Sequence, residues 1–224
     1  MYEVKAEFEK RKKEIDEYYK FILDVHVYKI TYEDRPKNAK VAVIKTLKSS
    51  VYLLLYNLVE STVSMCLSEI HNTINYENVK FNDLNDNIKE IYHKYYLPGS
   101  SKKITEKTKT YIESISKNEH IPIDFKAICE ALRLFSGNLD KKSIRETSGL
   151  YNLKIKNDKY GNSLLKVKSI RNKLAHGEIS FSDCCKDELV TEINDTIEDV
   201  LNFLEQYIFF TENYINSKSY LFRT

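Results

Sequence analysis

Residues 169–181 read SIRNKLAHGEISF, which places an arginine, an asparagine and a histidine within six residues, directly before Gly177. A guanidinium keeps its charge at any working pH and offers a fork of donors that matches phosphate oxygens, so Arg171 could hold a phosphate and stabilise charge growing on it. An imidazole titrates near neutrality, so His176 could move a proton. RNA carries its own nucleophile in the 2′-hydroxyl, and such a site would need neither a metal nor a protein nucleophile. Asn172 would orient the substrate or the imidazole. The same residue types also permit a structural reading, in which His176 caps carbonyls at a helix end while Arg171 pairs with Glu60 across a helical bundle. Residue types and spacing leave both readings open.

Helical geometry narrows the question. At about 100° per residue, Leu164, Val167, Ile170 and Leu174 fall on one side and Arg171 lies inside their arc, facing something packed. A buried guanidinium cannot lose its charge, so a carboxylate or phosphate is expected opposite it. Asn172 and His176 are four apart and share a face, whereas Arg171 and His176 diverge by about 140° on a straight helix. They converge on one ligand only if the helix ends or loosens before His176, and Gly177 suits an unwound last turn with a left-handed cap.

The elements that position these residues are helical throughout. Five Gly and three Pro in 224 residues are too few turn-formers for a protein of many short strands, so the fold class is all-α, a helical bundle in one domain spanning residues 1–224. Apolar spacing predicts a first helix over residues 4–27, a connection broken at Pro36, and a long helix over 39–74. The long helix carries two stripes, one through Leu47, Val51, Leu54 and Leu58 and another through Leu53, Tyr56, Val63 and Leu67, so it should be central and buried. Glu60 lies in the second stripe and needs a partner there. A shorter helix should end before Pro98, and residues 100–122 form a polar, Lys-rich insertion with one helical piece near 108–115. Helix resumes at 124, ending at Gly137; Asp140 should cap a short helix; the helix carrying Arg171 closes at Gly177; and a last helix runs from Ser182 or Asp183 to Ser217.

Charge and composition bound the function. With 35 Lys and Arg against 33 Asp and Glu, the net charge of +2 argues against binding long duplex nucleic acid by electrostatics alone. Lys102, Lys103, Lys107 and Lys109 are candidate RNA contacts, with a solvated surface segment as the alternative. Tyr92, Tyr95 and Tyr96 beside Lys94 form a candidate stacking platform, against core packing as the default. The four cysteines, Cys66, Cys129, Cys184 and Cys185, form no CxxC pair and have no histidine at metal-ligand spacing, so no metal site and no cofactor are expected. The charged N-terminus lacks the apolar core of a signal peptide, and no contiguous apolar run approaches the length of a membrane span, so a cytoplasmic protein with no membrane partner is expected.

The segment IRNKLAHGEISF resembles the signature of the HEPN superfamily (higher eukaryotes and prokaryotes nucleotide-binding), in which an arginine with a polar follower precedes a histidine by a short spacer. With LLYNLVESTV in the long helix, SGNLDKKSIRE before the motif and the LAHGEISF continuation, the resemblance runs from about Phe8 to Tyr220 and is closest to the RiboL-PSP-HEPN branch. It implies a helical bundle that forms a homodimer, with two motifs facing a shared cleft. The implied activity is that of a metal-independent endoribonuclease in a toxin–antitoxin or phage-defence system, leaving a 2′,3′-cyclic phosphate and a 5′-hydroxyl. RNA would be the substrate, and an antitoxin or other defence-system protein a partner. Residue by residue, the resemblance makes Arg171, Asn172 and His176 catalytic and gives Glu60 a supporting role in orienting Arg171. Some proteins of this kind have lost cleavage and act as RNA-binding or assembly subunits, which is the alternative function.

Overall fold

A helix apolar on two faces must be covered on both, and the chain meets that requirement by laying its other long helices against one central element. The computed structural model describes residues 1–27, 30–32, 35–37, 41–97, 105–135, 139–155 and 159–222. The described elements are α1 (Tyr2–Val27), β1 (Ile30–Tyr32), β2 (Arg35–Lys37), α2 (Val41–Tyr76), α3 (Asp86–Tyr96), α4 (Glu106–Ser116), α5 (Phe125–Leu132), α6 (Lys141–Leu150), α7 (Gly161–Ala175), α8 (Phe181–Cys184) and α9 (Val190–Asn216). The fold is all-α apart from β1 and β2, a short antiparallel hairpin where a plain connection was expected. Pro36 pairs there with Thr31, in a two-stranded ribbon where each strand is an edge and proline is tolerated.

Polar contacts fix the helix directions. The Met1 amino group pairs with Glu69 and the Tyr18 hydroxyl donates to the Leu47 carbonyl, so α1 runs antiparallel to α2. Lys5 meets Glu212, Lys12 meets Glu205 and Tyr19 reaches the Val190 carbonyl, so α1 is antiparallel to α9 as well. Helix α2 lies at the centre, packed by α1, α9, α7, α8 and α5. Both of its stripes contribute buried side chains, Val51 and Leu58 from one and Tyr56, Val63, Leu67 and Ile70 from the other. By length and composition α2 is apolar enough to cross a bilayer, contrary to the expectation from contiguous apolar runs. Of its most apolar window 56% is buried inside the bundle, and Lys48 is itself buried, with its ammonium donating to the Glu188 carbonyl at 2.6 Å.

Two helix ends differ from expectation. Helix α5 stops at Leu132, where Arg133 adopts a left-handed conformation (φ 52°); the expected end at Gly137 lies outside the described residues. The last helix is two helices, because the chain leaves helical geometry between Cys184 and Val190. Glu188, in that break, receives hydrogen bonds on its carboxylate from Tyr52 of α2 and Lys166 of α7, and on its carbonyl from Lys48. A continuous helix could not deliver both groups to the same place. In the Lys-rich region the expected helical piece is α4, which docks on α3 through buried Tyr111; that ring stacks on Tyr96 at 4.3 Å and bonds to His93 at 3.0 Å.

One buried group couples this core to pH. His71 on α2 is fully buried, flanked by the rings of Phe125 and Tyr92, with Nε2 3.0 Å from the Tyr151 hydroxyl and Nδ1 without a hydrogen-bond partner among the described residues. Burial pushes its pKa down from 6.5 to about 3. The folded chain therefore keeps this imidazole neutral while the unfolded chain protonates it below about 6.5, so stability falls as pH drops through that window. Chemical denaturation of wild type and His71→Gln should show that this one group contributes a loss of about 2–3 kcal/mol between pH 7 and 4.5, absent in the variant.

Candidate active site

Helix α7 carries the arginine, asparagine and histidine. It buries Leu164, Val167 and Leu174 and packs against α2, α9, α6 and α8. Its position is set by two polar anchors. Lys166 pairs with Glu188, which Tyr52 also holds, and Lys168 pairs with Asp140 at 2.7 Å. Asp140 is the expected N-cap of α6, in a reciprocal capping box with Ser143. Burial raises the pKa of its carboxyl, but the hydrogen bonds from Lys168 and Ser143 outweigh that and hold it below the usual range.

The end of α7 follows the glycine. His176 is the C-cap, with helical dihedrals (φ −90°, ψ 0°) and its N–H still bonded to the Asn172 carbonyl at 2.9 Å. Gly177 then turns left-handed (φ +69°), its N–H bonds to the Leu174 carbonyl, and the Glu178 N–H bonds to the Lys173 carbonyl. These two bonds make a Schellman cap, as Gly177 predicted. The helix does not loosen before His176, however, so the expected convergence is not met: regular register keeps Arg171 and His176 about 140° apart within one chain. His176 is exposed at the helix end, on the same face as Asn172.

Arg171 faces the core side, as its place in the apolar arc requires. Its guanidinium carbon stands 4.2 Å from the ring centre of Tyr56 on α2, and its Nη1 donates to the Asn172 side-chain oxygen at 2.9 Å. A cation held over an aromatic ring in this way is attracted by the ring's quadrupole, which steadies the guanidinium against α2. Tyr56 is buried and its hydroxyl accepts from the Leu139 N–H at 3.3 Å. Burial raises the phenol's pKa; Glu60 adds to that, while the Leu139 N–H, Arg171 and Lys168 oppose it. Glu60 lies one turn beyond Tyr56, half-buried at the edge of a groove of about 650 Å³ that Ser64, Ser68 and Arg133 also line. Among the ion pairs of the described residues none joins Glu60 to Arg171. Tyr56 stands between their roles, and a half-buried Glu60 reaches solvent instead of needing a core partner.

The remaining candidates go elsewhere. Lys102 and Lys103 lie outside the described residues. Lys107 sits 3.3 Å over the Tyr95 ring and Lys109 pairs with Glu106, so both are engaged on the α3–α4 side. Tyr92 is buried and Tyr96 is stacked on Tyr111, as the default of core packing has it, while half-buried Tyr95 is covered by Lys107 and Lys94 pairs with Glu90 at the surface. The sequence reading did not single out Tyr56 as a support for Arg171, nor Glu188 as an anchor. A usable signal existed for the first, since Tyr56 precedes Glu60 by four residues on the same stripe.

Gly177→Ala tests the cap. A Cβ there would meet no heavy atom within 4 Å, so the cost is purely that of the left-handed backbone, about 1 kcal/mol, read as a lower denaturation midpoint with unchanged slope.

Comparison with known proteins agrees with this architecture. No curated protein and no solved structure matches the chain. A family model described as MAE_28990-like HEPN matches residues 2–220, which upholds the superfamily while naming a different branch from RiboL-PSP-HEPN. With nearly its whole length covered, and with the arginine, asparagine and histidine of the superfamily signature set on the last turns of α7, the chain belongs to the MAE_28990-like HEPN family.

Proposed function

We propose that the protein is a metal-independent endoribonuclease of the HEPN type, acting in a toxin–antitoxin or phage-defence setting. The observation that carries this reading is the end of α7. There the Schellman cap holds His176 at the surface on the face of Asn172, while the Tyr56 stack and the Asn172 side chain fix the guanidinium of Arg171. In the reaction, the 2′-hydroxyl attacks the adjacent phosphorus and the bond to the 5′-oxygen of the next nucleotide breaks. His176 takes the proton from the nucleophile or gives one to the leaving oxygen, and Arg171 stabilises the charge on the non-bridging oxygens. The products are a 2′,3′-cyclic phosphate and a 5′-hydroxyl.

Arg171 and His176 point apart in one chain, so this chemistry is best served by a homodimer in which the arginine of one chain and the histidine of the other meet at one phosphate. The same divergence is what favours the second reading, an RNA-binding or assembly subunit that does not cleave, where each residue contacts a separate phosphate. An antitoxin or other defence-system protein would be the restraining partner under the first reading and the assembly partner under the second.

The test is incubation of cellular RNA with purified wild type and His176→Ala in excess EDTA, with analysis of product ends. Cyclic phosphate ends are expected from wild type, with a loss of at least 100-fold in the variant. RNA binding without turnover by wild type would select the second reading, and equal cleavage by both proteins would remove His176 from the mechanism.

A further inference from the structure

Outside the residues already assigned, one cavity combines charge, an apolar wall and alignment with the motif. A notch of about 310 Å³ opens where the start of α6 meets the start of α7, lined by Lys141, Lys142 and Arg145 on one side and by Gly161 and Leu165 on the other. Asp140 also borders it, but its carboxylate is committed to Lys168 and to the Ser143 N–H. Leu165 is 54% exposed, an apolar side chain left at the surface beside three cations. The Lys142 interaction with Glu146 spans 3.9 Å between two highly exposed side chains and contributes little. The stem of Lys141 crosses Gly161 so closely that a Cβ there would lie 2.4 Å from its Cδ, which means the glycine makes room for the lysine at the notch. A lysine in the first turn of a helix runs against the helix dipole, so the stability of α6 does not account for Lys142.

The alignment is what connects the notch to function. At about 100° per residue, Gly161, Leu165, Asn172 and His176 fall within about 60° of one another, so they lie along a single face of α7. At about 1.5 Å per residue, Leu165 is about 10 Å from Asn172 and about 16 Å from His176 along the helix axis. That is the separation of phosphates two or three nucleotides apart in an extended single strand. Leu165 offers a base an apolar surface while Lys142 and Arg145 receive its phosphate.

We infer that the notch between α6 and α7 holds a nucleotide of single-stranded RNA, two or three positions from the bond at His176, with the strand running along the exposed face of α7. This rests on the ribonuclease reading above. It assigns substrate affinity to Lys142, Arg145 and Leu165 rather than to the Lys-rich stretch before and within α4.

The test uses a fluorescein-labelled 12-nucleotide RNA pool of mixed sequence. Binding is measured by anisotropy in the His176→Ala background, with and without Lys142→Gln plus Arg145→Gln, and separately with Leu165→Glu. All three of these notch residues are exposed, so the fold should tolerate the changes, and circular dichroism checks it. The expected result is affinity weaker by about tenfold in each case. For the double variant, the dependence of log affinity on log salt should be shallower by about 1.4, the slope of two single-strand phosphate contacts. In the cleavage-competent protein the same double variant should raise KM several-fold and leave kcat unchanged. Unaltered affinity and salt slope in folded variants, with RNA still bound, would overturn the notch while sparing the ribonuclease reading. Failure of the unmodified chain to bind or cut RNA would overturn both.

Discussion

Everything in this fold follows from the need to cover α2 on two faces. A helix with stripes through Val51 and Leu58 and through Tyr56, Val63 and Leu67 cannot be solvated on either side, and burial of each such side chain is worth about 1.5–3 kcal/mol. Helices α1 and α9 cover much of it, antiparallel to one another, and α7 and α8 close the remainder. The helix bearing the motif is thus part of the core wall. Its buried side is committed to α2, where Arg171 meets Tyr56, and its other side carries Asn172 and His176.

That arrangement explains how a charged residue sits among apolar ones. Arg171 falls inside the apolar arc of α7, and the fold meets it there with the ring of Tyr56. A cation–ring contact of this kind on a buried ring is worth about 1–2 kcal/mol. The polar anchors do comparable work at longer range. Glu188 ties α2, α7 and the break before α9 together, and Asp140 ties α6 to α7 through Lys168.

The ends of α7 are set by local chemistry, and the two ends serve different purposes. At its C-terminus Gly177 permits the left-handed turn that stops the helix one residue after His176, so the imidazole is presented at the surface while its backbone stays in register. At its N-terminus Gly161 leaves space for the Lys141 stem. Between them the exposed face carries Leu165, Asn172 and His176 in line, a consequence of helical period alone once the opposite face is buried.

Much of this was legible in the sequence, because it depends on neighbours in the chain. The helical class, the central place of α2, the Asp140 cap, the Gly177 cap and the inward direction of Arg171 all arise from spacing of three or four residues or from a single residue's backbone preference. The superfamily signature was legible for the same reason, being a short run on one helix. What the sequence could not decide is what comes from far along the chain to meet each group. Tyr56 rather than Glu60 beneath Arg171, Glu188 breaking the last helix in two, Tyr111 consuming the Tyr96 face, and the notch where α6 meets α7 are all pairings between distant segments. Such pairings are settled by how side chains of particular volume pack once the helices have docked, and helical periodicity is silent about that.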